Sequence, residues 1–300
     1  MTDASSHGGR PARVALVTCA ELPDLDPDDR LLTAPLAELG VGADAVVWDD
    51  AGVNWGTYDL VVLRSTWDYA RRRDEFVAWA RTVPRLMNSA DIVAWNTDKR
   101  YLSELLSAGL PVVPTDWIAP ADAWALPTRG EWVIKPAVSA GSLDTGRYDT
   151  ADPEHRQLAA AHVARLQAAD RLVMMQPYLP SVDTYGETSL LFFSGEYSHA
   201  IRKGPMLNGP EVAVDGLYKE EEIAARRPTE AELSVGARAL AAVPGGAGQL
   251  LYARVDLIHG RDGEPLVVEL ELTEPSLFLA TSPHAPVLFA RAIAAAAHDA

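Results

Sequence analysis

A single cysteine, Cys19, excludes an internal disulfide framework and any zinc or iron–sulfur site built from several cysteines. A reducing compartment, the cytoplasm, is the matching expectation. No apolar run approaches the roughly 20 residues of a membrane span. Met1 to Ala12 lack the apolar middle of a signal peptide, so residues 1–12 read as a polar, disordered tail. Positive charge is scarce: 26 Lys and Arg stand against 42 Asp and Glu, a net charge of −16. That sign repels phosphate backbones and argues against a nucleic-acid partner. A small anionic ligand needs only a local positive pocket. Several familiar motifs are missing too: G-x-G-x-x-G, H-E-x-x-H and G-x-S-x-G do not occur. Gly141 and Gly146 have P-loop spacing, but Arg147 and Tyr148 follow where Lys and Ser or Thr are needed. Asp24-Leu-Asp26-Pro-Asp28 hints at a calcium loop, yet Asp29 stands where Gly belongs and Pro35 where a bidentate Glu belongs.

What is present is an ordinary globular composition, 48% apolar and 23% charged over 300 residues, enough for about two domains. Strands at Arg13–Cys19, Ala43–Trp48 and Leu60–Leu63 alternate with helices at Asp28–Leu39 and Glu75–Arg81. That pattern predicts a parallel sheet covered on both faces, with ligands at the strands' carboxyl ends. Thr97–Ser107 reads as a helix with Thr97 as its N-cap. Trp132–Lys135 is a short strand before a Gly/Ser loop, Val138–Arg147. Pro153–Ala168 is a helix, Leu172–Gln176 a strand and Pro177–Pro180 a connector. The last third reads as strands at Thr188–Phe193, Glu196–Ile201, Gln249–Ile258 and Pro265–Leu272, with helices at Glu230–Ala242 and Pro286–Ala297. The fold class is therefore α/β plus α+β.

Chemistry concentrates at the end of that series. Asp256 lies in Tyr252-Ala-Arg-Val-Asp-Leu257, and a turn at Gly260–Gly263 leads to Val267-Val-Glu-Leu-Glu-Leu272. Antiparallel pairing brings Asp256 near Glu269 and Glu271, which share one sheet face because they are two apart. Three carboxylates on one face repel each other without a cation, and oxygen-only ligands suit magnesium. The alternative is a solvated outer face with Lys or Arg neighbours. Lys99 and Lys135 are point charges suited to phosphate oxygens, and Ser139-Ala-Gly141-Ser142 can turn backbone N–H groups toward an anion. Singly, each of these is an ordinary surface feature; their order gives them value.

Taken in order, these pieces resemble the ATP-grasp superfamily, on its glutathione-synthetase side, from Arg13 to about Ala295. Asn96-Thr-Asp-Lys99 resembles the first ATP lysine, Val133-Ile-Lys-Pro136 the second, and Val138–Gly146 the mobile loop over the phosphates. Met174-Met-Gln-Pro-Tyr-Leu179 resembles the hinge between lobes, which implies adenine against Gln176, Pro177, Tyr178 and Leu179 and ribose near Glu187. Arg254 resembles the phosphate-side arginine, and Asp256, Glu269 and Glu271 the metal ligands. The family usually carries Glu-x-Asn there; Glu271 keeps the oxygen but adds a charge. The resemblance implies ATP with magnesium, as a pair of ions. It also implies an N-terminal α/β substrate-side domain over 13–98, a small lobe with the lid loop over 99–180 and a C-terminal catalytic lobe over 181–300.

Within the superfamily, Arg64-Ser-Thr-Trp-Asp-Tyr69 and Leu270-Glu-Leu-Thr-Glu-Pro-Ser-Leu-Phe278 resemble a smaller group, the cyclo-ligases that close O-ureido-D-serine. That implies carboxylate activation through an acyl phosphate, attack by a nitrogen of the same molecule, and a small amino-acid-like substrate. Arg64, Ser65, Thr66, Trp67, Asp68, Tyr69 and Ser276 are its expected contacts. The alternative for that loop is that Trp67 caps the core and Arg64 pairs with Asp68. Arg202 and Lys203 are candidates to steady the substrate or intermediate, with a solvated strand end as the alternative. Rival functions are an intermolecular carboxylate–amine ligase, a kinase and a nucleotide-binding module without turnover. A homo-oligomer is compatible with all of these.

Overall fold

The computed structural model describes residues 10–207, 209–211 and 222–298. Residues 1–9 of the expected tail lie outside the described residues. From Arg10 the chain is placed, and Ala12 already opens a strand, which shortens the tail.

β1 (Ala12–Thr18), β2 (Val41–Val47), β3 (Leu60–Ser65) and β4 (Leu86–Met87) form a parallel sheet in the order β2-β1-β3-β4. Val14 and Leu16 enter one core while Ala15 and Val17 enter another. Both faces are buried, which is why β1 reads as a continuous apolar run. α1 (Thr33–Glu38) gives Leu36 to the first core, and α2 (Arg73–Ala80) gives Phe76 and Ala80 to the second. A 3₁₀ turn, Asp29–Leu32, replaces the start of the helix expected from Asp28.

The helix expected over Thr97–Ser107 is α4 (Tyr101–Ser107), which starts four residues later, and a separate helix, α3 (Ala90–Asn96), precedes it. Thr97 is not an N-cap. It closes α3, its hydroxyl donating back to Val93 O at 2.8 Å, while Ser89 caps the start. Lys99 lies in the turn between the two helices, its N–H donating to Ala137 O at 2.9 Å.

β5 (Asp116–Ile118), β6 (Glu131–Pro136), β7 (Gly146–Asp149) and β8 (Val173–Pro177) form an antiparallel sheet, β5-β8-β6-β7. α5 (Pro153–Ala168) packs Val163 and Leu166 onto its Ile134 and Val173. Asp152 caps α5 and Pro153 fills the first position, so the helix starts where it was expected.

After α6 (Ser181–Thr184) comes a second antiparallel sheet. It comprises β9 (Glu187–Phe193), β10 (Glu196–Lys203), β11 (Ile223–Arg226), β12 (Tyr252–His259) and β13 (Pro265–Glu271), in the order β11-β10-β9-β12-β13. α7 (Glu230–Ala241) packs Ala239 and Leu240 against Leu190 and Phe192. On the other face, Phe289 and Ile293 of α8 (Ala285–His298) join Leu191 and Phe193 to Val14 and Leu16 of the parallel sheet. One continuous core therefore joins the first and third sheets.

β13 is the last strand of its sheet, yet its outer backbone groups are occupied. Val267 N donates to Pro111 O at 2.8 Å and Val113 N to Val267 O at 3.0 Å. Leu270 N donates to the Tyr101 hydroxyl at 3.0 Å. The Asn96 amide donates to Leu270 O and accepts from Leu272 N, both at 2.7 Å. Asn88 does the same for Leu272 O, Tyr252 O and Leu251 N. No helix among the described residues is long and apolar enough to cross a membrane.

Candidate active site

A cleft of about 520 Å³ opens between the three sheets. Its floor is β12 and β13. Asp256 stands across from Glu269 and Arg254 from Glu271, so all four side chains share one face. Asp256 is 1% exposed, which removes the reading of a solvated outer face. Each carboxylate is held by a cation. Lys203 Nζ lies 3.0 Å and Arg254 Nε 2.9 Å from Asp256. Lys99 Nζ lies 3.0 Å from Glu269, and Arg254 also reaches Glu271. Lys203 bonds Glu187 at 2.8 Å.

Burial raises the Asp256 carboxyl, but Arg254 and Lys203 outweigh it and hold it well below the usual range. Glu269 is likewise held low by Lys99 and Lys135 against burial. At Glu271 burial prevails over Arg254, with Glu269 and Asp256 adding to it, and pushes the carboxyl up to about 7. Burial pushes Glu187 up as well. Lys135 differs from the other cleft cations. It is buried and lines the cleft, and among the described residues no carboxylate lies within ion-pairing distance. Burial depresses its ammonium.

Among the described residues no three Asp, Glu, His or Cys side chains converge as a preassembled metal cage. The reason is visible in the ion pairs: lysine and arginine stand between the carboxylates. The donor set still fits a hard cation, because Asp256, Glu269 and Glu271 offer oxygen only from one face of the β12–β13 pair; Glu269 and Glu271 line the cleft, while Asp256, buried across from Glu269, is not itself among the lining residues.

The structure brings most of the expected residues into this cleft. Ser139, Gly141 and Ser142 line it, and Lys99 Nζ donates to Ser139 O at 2.7 Å. Gln176, Pro177, Tyr178, Leu179 and Glu187 line its far wall, and Trp67, Tyr69 and Ser276 its near wall. Four others of the Arg64 loop do not reach it. Arg64 is fully buried, with Nε 2.8 Å from Asp29 and Nη2 donating to Pro275 O at 2.6 Å. β3 is covered on both faces, so Arg64, its penultimate residue, points into protein. The Ser65 hydroxyl donates to Asp29 at 2.7 Å. Thr66 is buried outside the cleft, and Asp68 accepts from the Trp48 indole at 3.0 Å. Arg64 thus pairs with Asp29, and the alternative pairing with Asp68 does not occur. Arg202 is also displaced: alternation along β10 sends Lys203 into the cleft and Arg202 away, its Nε donating to Tyr185 O at 2.9 Å.

Asp26 and Asp28 also line the cleft, and a third acid there escaped sequence reasoning. Glu274 follows β13, lines the cleft at 7% exposure and bonds the Tyr69 hydroxyl. Burial first, and the charge of Glu271 second, push its carboxyl up to about 8. Its sequence signal was a third acid in Glu269-Leu-Glu-Leu-Thr-Glu-Pro275, set between an apolar strand and a proline.

Residues 14–88 match the family described as the N-terminal domain of D-cycloserine synthetase DcsG. The chain is 40% identical over 299 residues to the cycloserine biosynthesis protein DcsG of Streptomyces lavendulae, covering 94% of this chain and 97% of that one. The crystal structure of a D-cycloserine synthetase DcsG superposes with a TM-score of 0.85 at 39% identity, over 95% of this chain and all of that one. A D-alanine–D-alanine ligase from Bacillus anthracis complexed with ATP shares the fold, with a TM-score of 0.62 at 14% identity over 96% of this chain and 98% of that one.

Proposed function

This chain belongs to the D-cycloserine synthetase DcsG family of ATP-grasp ligases, and from that premise we propose that it closes O-ureido-D-serine to D-cycloserine. One observation carries the nucleotide half of the reading. Lys135 is buried on the cleft wall beside the Gly/Ser loop with no carboxylate partner among the described residues, as a phosphate-binding cation would be. ATP lies along Lys99, Lys135 and the loop, with adenine against Gln176–Leu179 and ribose toward Glu187. Asp256, Glu269 and Glu271 would hold magnesium, which supplies charge neutralisation at the β- and γ-phosphates when bound.

The substrate carboxylate attacks the γ-phosphorus and ADP leaves. Lys99, Lys135 and Arg254 offset the charge spread over the transferring oxygens, so catalysis is mainly positioning and electrostatics. The oxygen-bound ureido nitrogen then attacks the acyl carbon and inorganic phosphate leaves. Proximity favours the ring. Hydrolysis removes the carbamoyl group as carbon dioxide and ammonia. Trp67 and Tyr69 narrow the near wall, which suits a compact amino acid better than a peptide.

The test is incubation with O-ureido-D-serine, ATP and magnesium, followed by mass analysis. D-cycloserine, ADP and phosphate are expected. An amide formed only with an added amine assigns the intermolecular reaction in its place, and a stable phosphorylated product without free phosphate assigns a kinase.

A further inference from the structure

The turn after β13 is fixed more firmly than a connecting loop requires. Four successive carbonyls each accept a hydrogen bond from a different buried or half-buried side chain. The Tyr252 hydroxyl bonds Thr273 O at 2.8 Å and the Trp67 indole bonds Glu274 O at 3.0 Å. Arg64 bonds Pro275 O at 2.6 Å and Arg254 bonds Ser276 O at 3.1 Å. Arg64, which the sequence offers as a substrate contact, is one of these four supports. Such support holds a side chain in place, and the side chain on this turn is Glu274.

Glu274 is unlike the carboxylates of the cleft floor, and unlike the lining Asp26 and Asp28, which accept backbone N–H bonds from Asp28 and from Leu279 and Ala280. Asp256, Glu269, Glu271 and Glu187 each have a lysine or arginine within ion-pairing distance. Glu274 has none among the described residues. Its bonded neighbour is the Tyr69 hydroxyl, and the charged groups that face it are Lys99, Glu269 and Glu271. A buried carboxyl with no cation at ion-pairing distance is a stronger base than one in water. It stands on the substrate wall, beside the strand that carries Glu269 and Glu271.

We propose that Glu274 is the base of the ring-closing step, taking the proton from the nitrogen that attacks the acyl phosphate. As the nitrogen lone pair forms the N–C bond, the C–O bond to phosphate breaks and phosphate leaves with that pair. The N–H proton passes to Glu274. Tyr69 holds the carboxyl toward the nitrogen. This rests on the ligase reading above, and the experiment separates the two.

Hydroxylamine is nucleophilic without a base, so it intercepts the acyl phosphate as a hydroxamate. Wild-type hydroxamate and ADP test the ligase reading by themselves. The ratio of closure to trapping tests Glu274, and the same ratio can be read with an added amine if the enzyme takes one. Glu274→Gln is expected to lower closure by about 10²–10⁴-fold, the range for a general base, while trapping falls less than about threefold. Equal loss of both, or a raised substrate KM in both, overturns the assignment and makes Glu274 a binding group. Unchanged closure also overturns it. Glu274→Asp keeps the carboxyl one methylene short and guards against a variant that fails to fold. It is expected to show the same bias in weaker form, and a wild-type ratio there counts against the proposal.

Discussion

Arg64 carries its charge fully buried in protein. Its guanidinium meets Asp29, two backbone carbonyls and the faces of Tyr252 and Phe289. Removing one member of a buried ion pair leaves the other uncompensated, at about 3–5 kcal/mol. Arg64→Ala is therefore expected to lower unfolding free energy by that order in urea titration, and Asp29→Ala on top of it should recover part of the loss. A variant as stable as wild type would contradict the packing described. The charge of Arg64 was legible in the sequence; its place was read as just after a strand, whereas β3 runs on through Arg64 to Ser65. Its partner was not, because Asp29 arrives from a separate loop 35 residues away. Glu274 was illegible for a related reason: burial of a turn depends on what folds over it. The acid pair Glu269 and Glu271 was readable because its spacing of two fixes a shared face in any strand.

Elements were readable where their ends carry chemical stops. Asp152-Pro153 set the start of α5, and the Gly260–Gly263 turn set β12 against β13 in a register that places Asp256 across from Glu269. Thr97 misled because a hydroxyl that can cap a start can equally fold back on the helix that precedes it. β5, β7 and β11 are only three or four residues long, too short for a pattern to be read, so they were not legible. α7 offers a test at this scale. Thr229 and Glu232 form a capping box, and Glu232, fully buried, also accepts from the Thr188 hydroxyl at 2.7 Å. Burial raises its carboxyl, but these hydrogen bonds prevail and hold it below the ordinary value. A depressed folded-state pKa gives stability that is present above the unfolded value, near 4.3, and lost as pH falls through the folded one. Glu232→Gln is expected to cost about 1–3 kcal/mol at pH 7. It should also flatten the acid side of a stability–pH curve below about pH 4. An unchanged acid limb would show that the carboxylate is not the source.

At the scale of the whole molecule, the three sheets depend on one another unevenly. The β5–β8 sheet has its own core of Ile134, Val163, Leu166 and Val173. The sheet that carries Asp256 and Glu269 does not stand apart in this way, since α8 packs it onto the first sheet. The covered edge of β13 adds a second dependence. Asn88 and Asn96 belong to the N-terminal region, and their amides occupy Leu251 N, Tyr252 O, Leu270 O, Leu272 N and Leu272 O. A fragment that begins at residue 99 would keep Tyr101, Pro111 and Val113 on β13 but would bare Leu270 O and both backbone groups of Leu272 as an open edge at the strand's carboxyl end, a template for pairing with another chain. It is expected to elute as self-associated species in size-exclusion chromatography, and a monodisperse monomer would refute this. The two asparagines therefore act as a chaperone built into the chain: they deny the carboxyl end of β13 any foreign partner, and they make its solubility conditional on the N-terminal region that carries them.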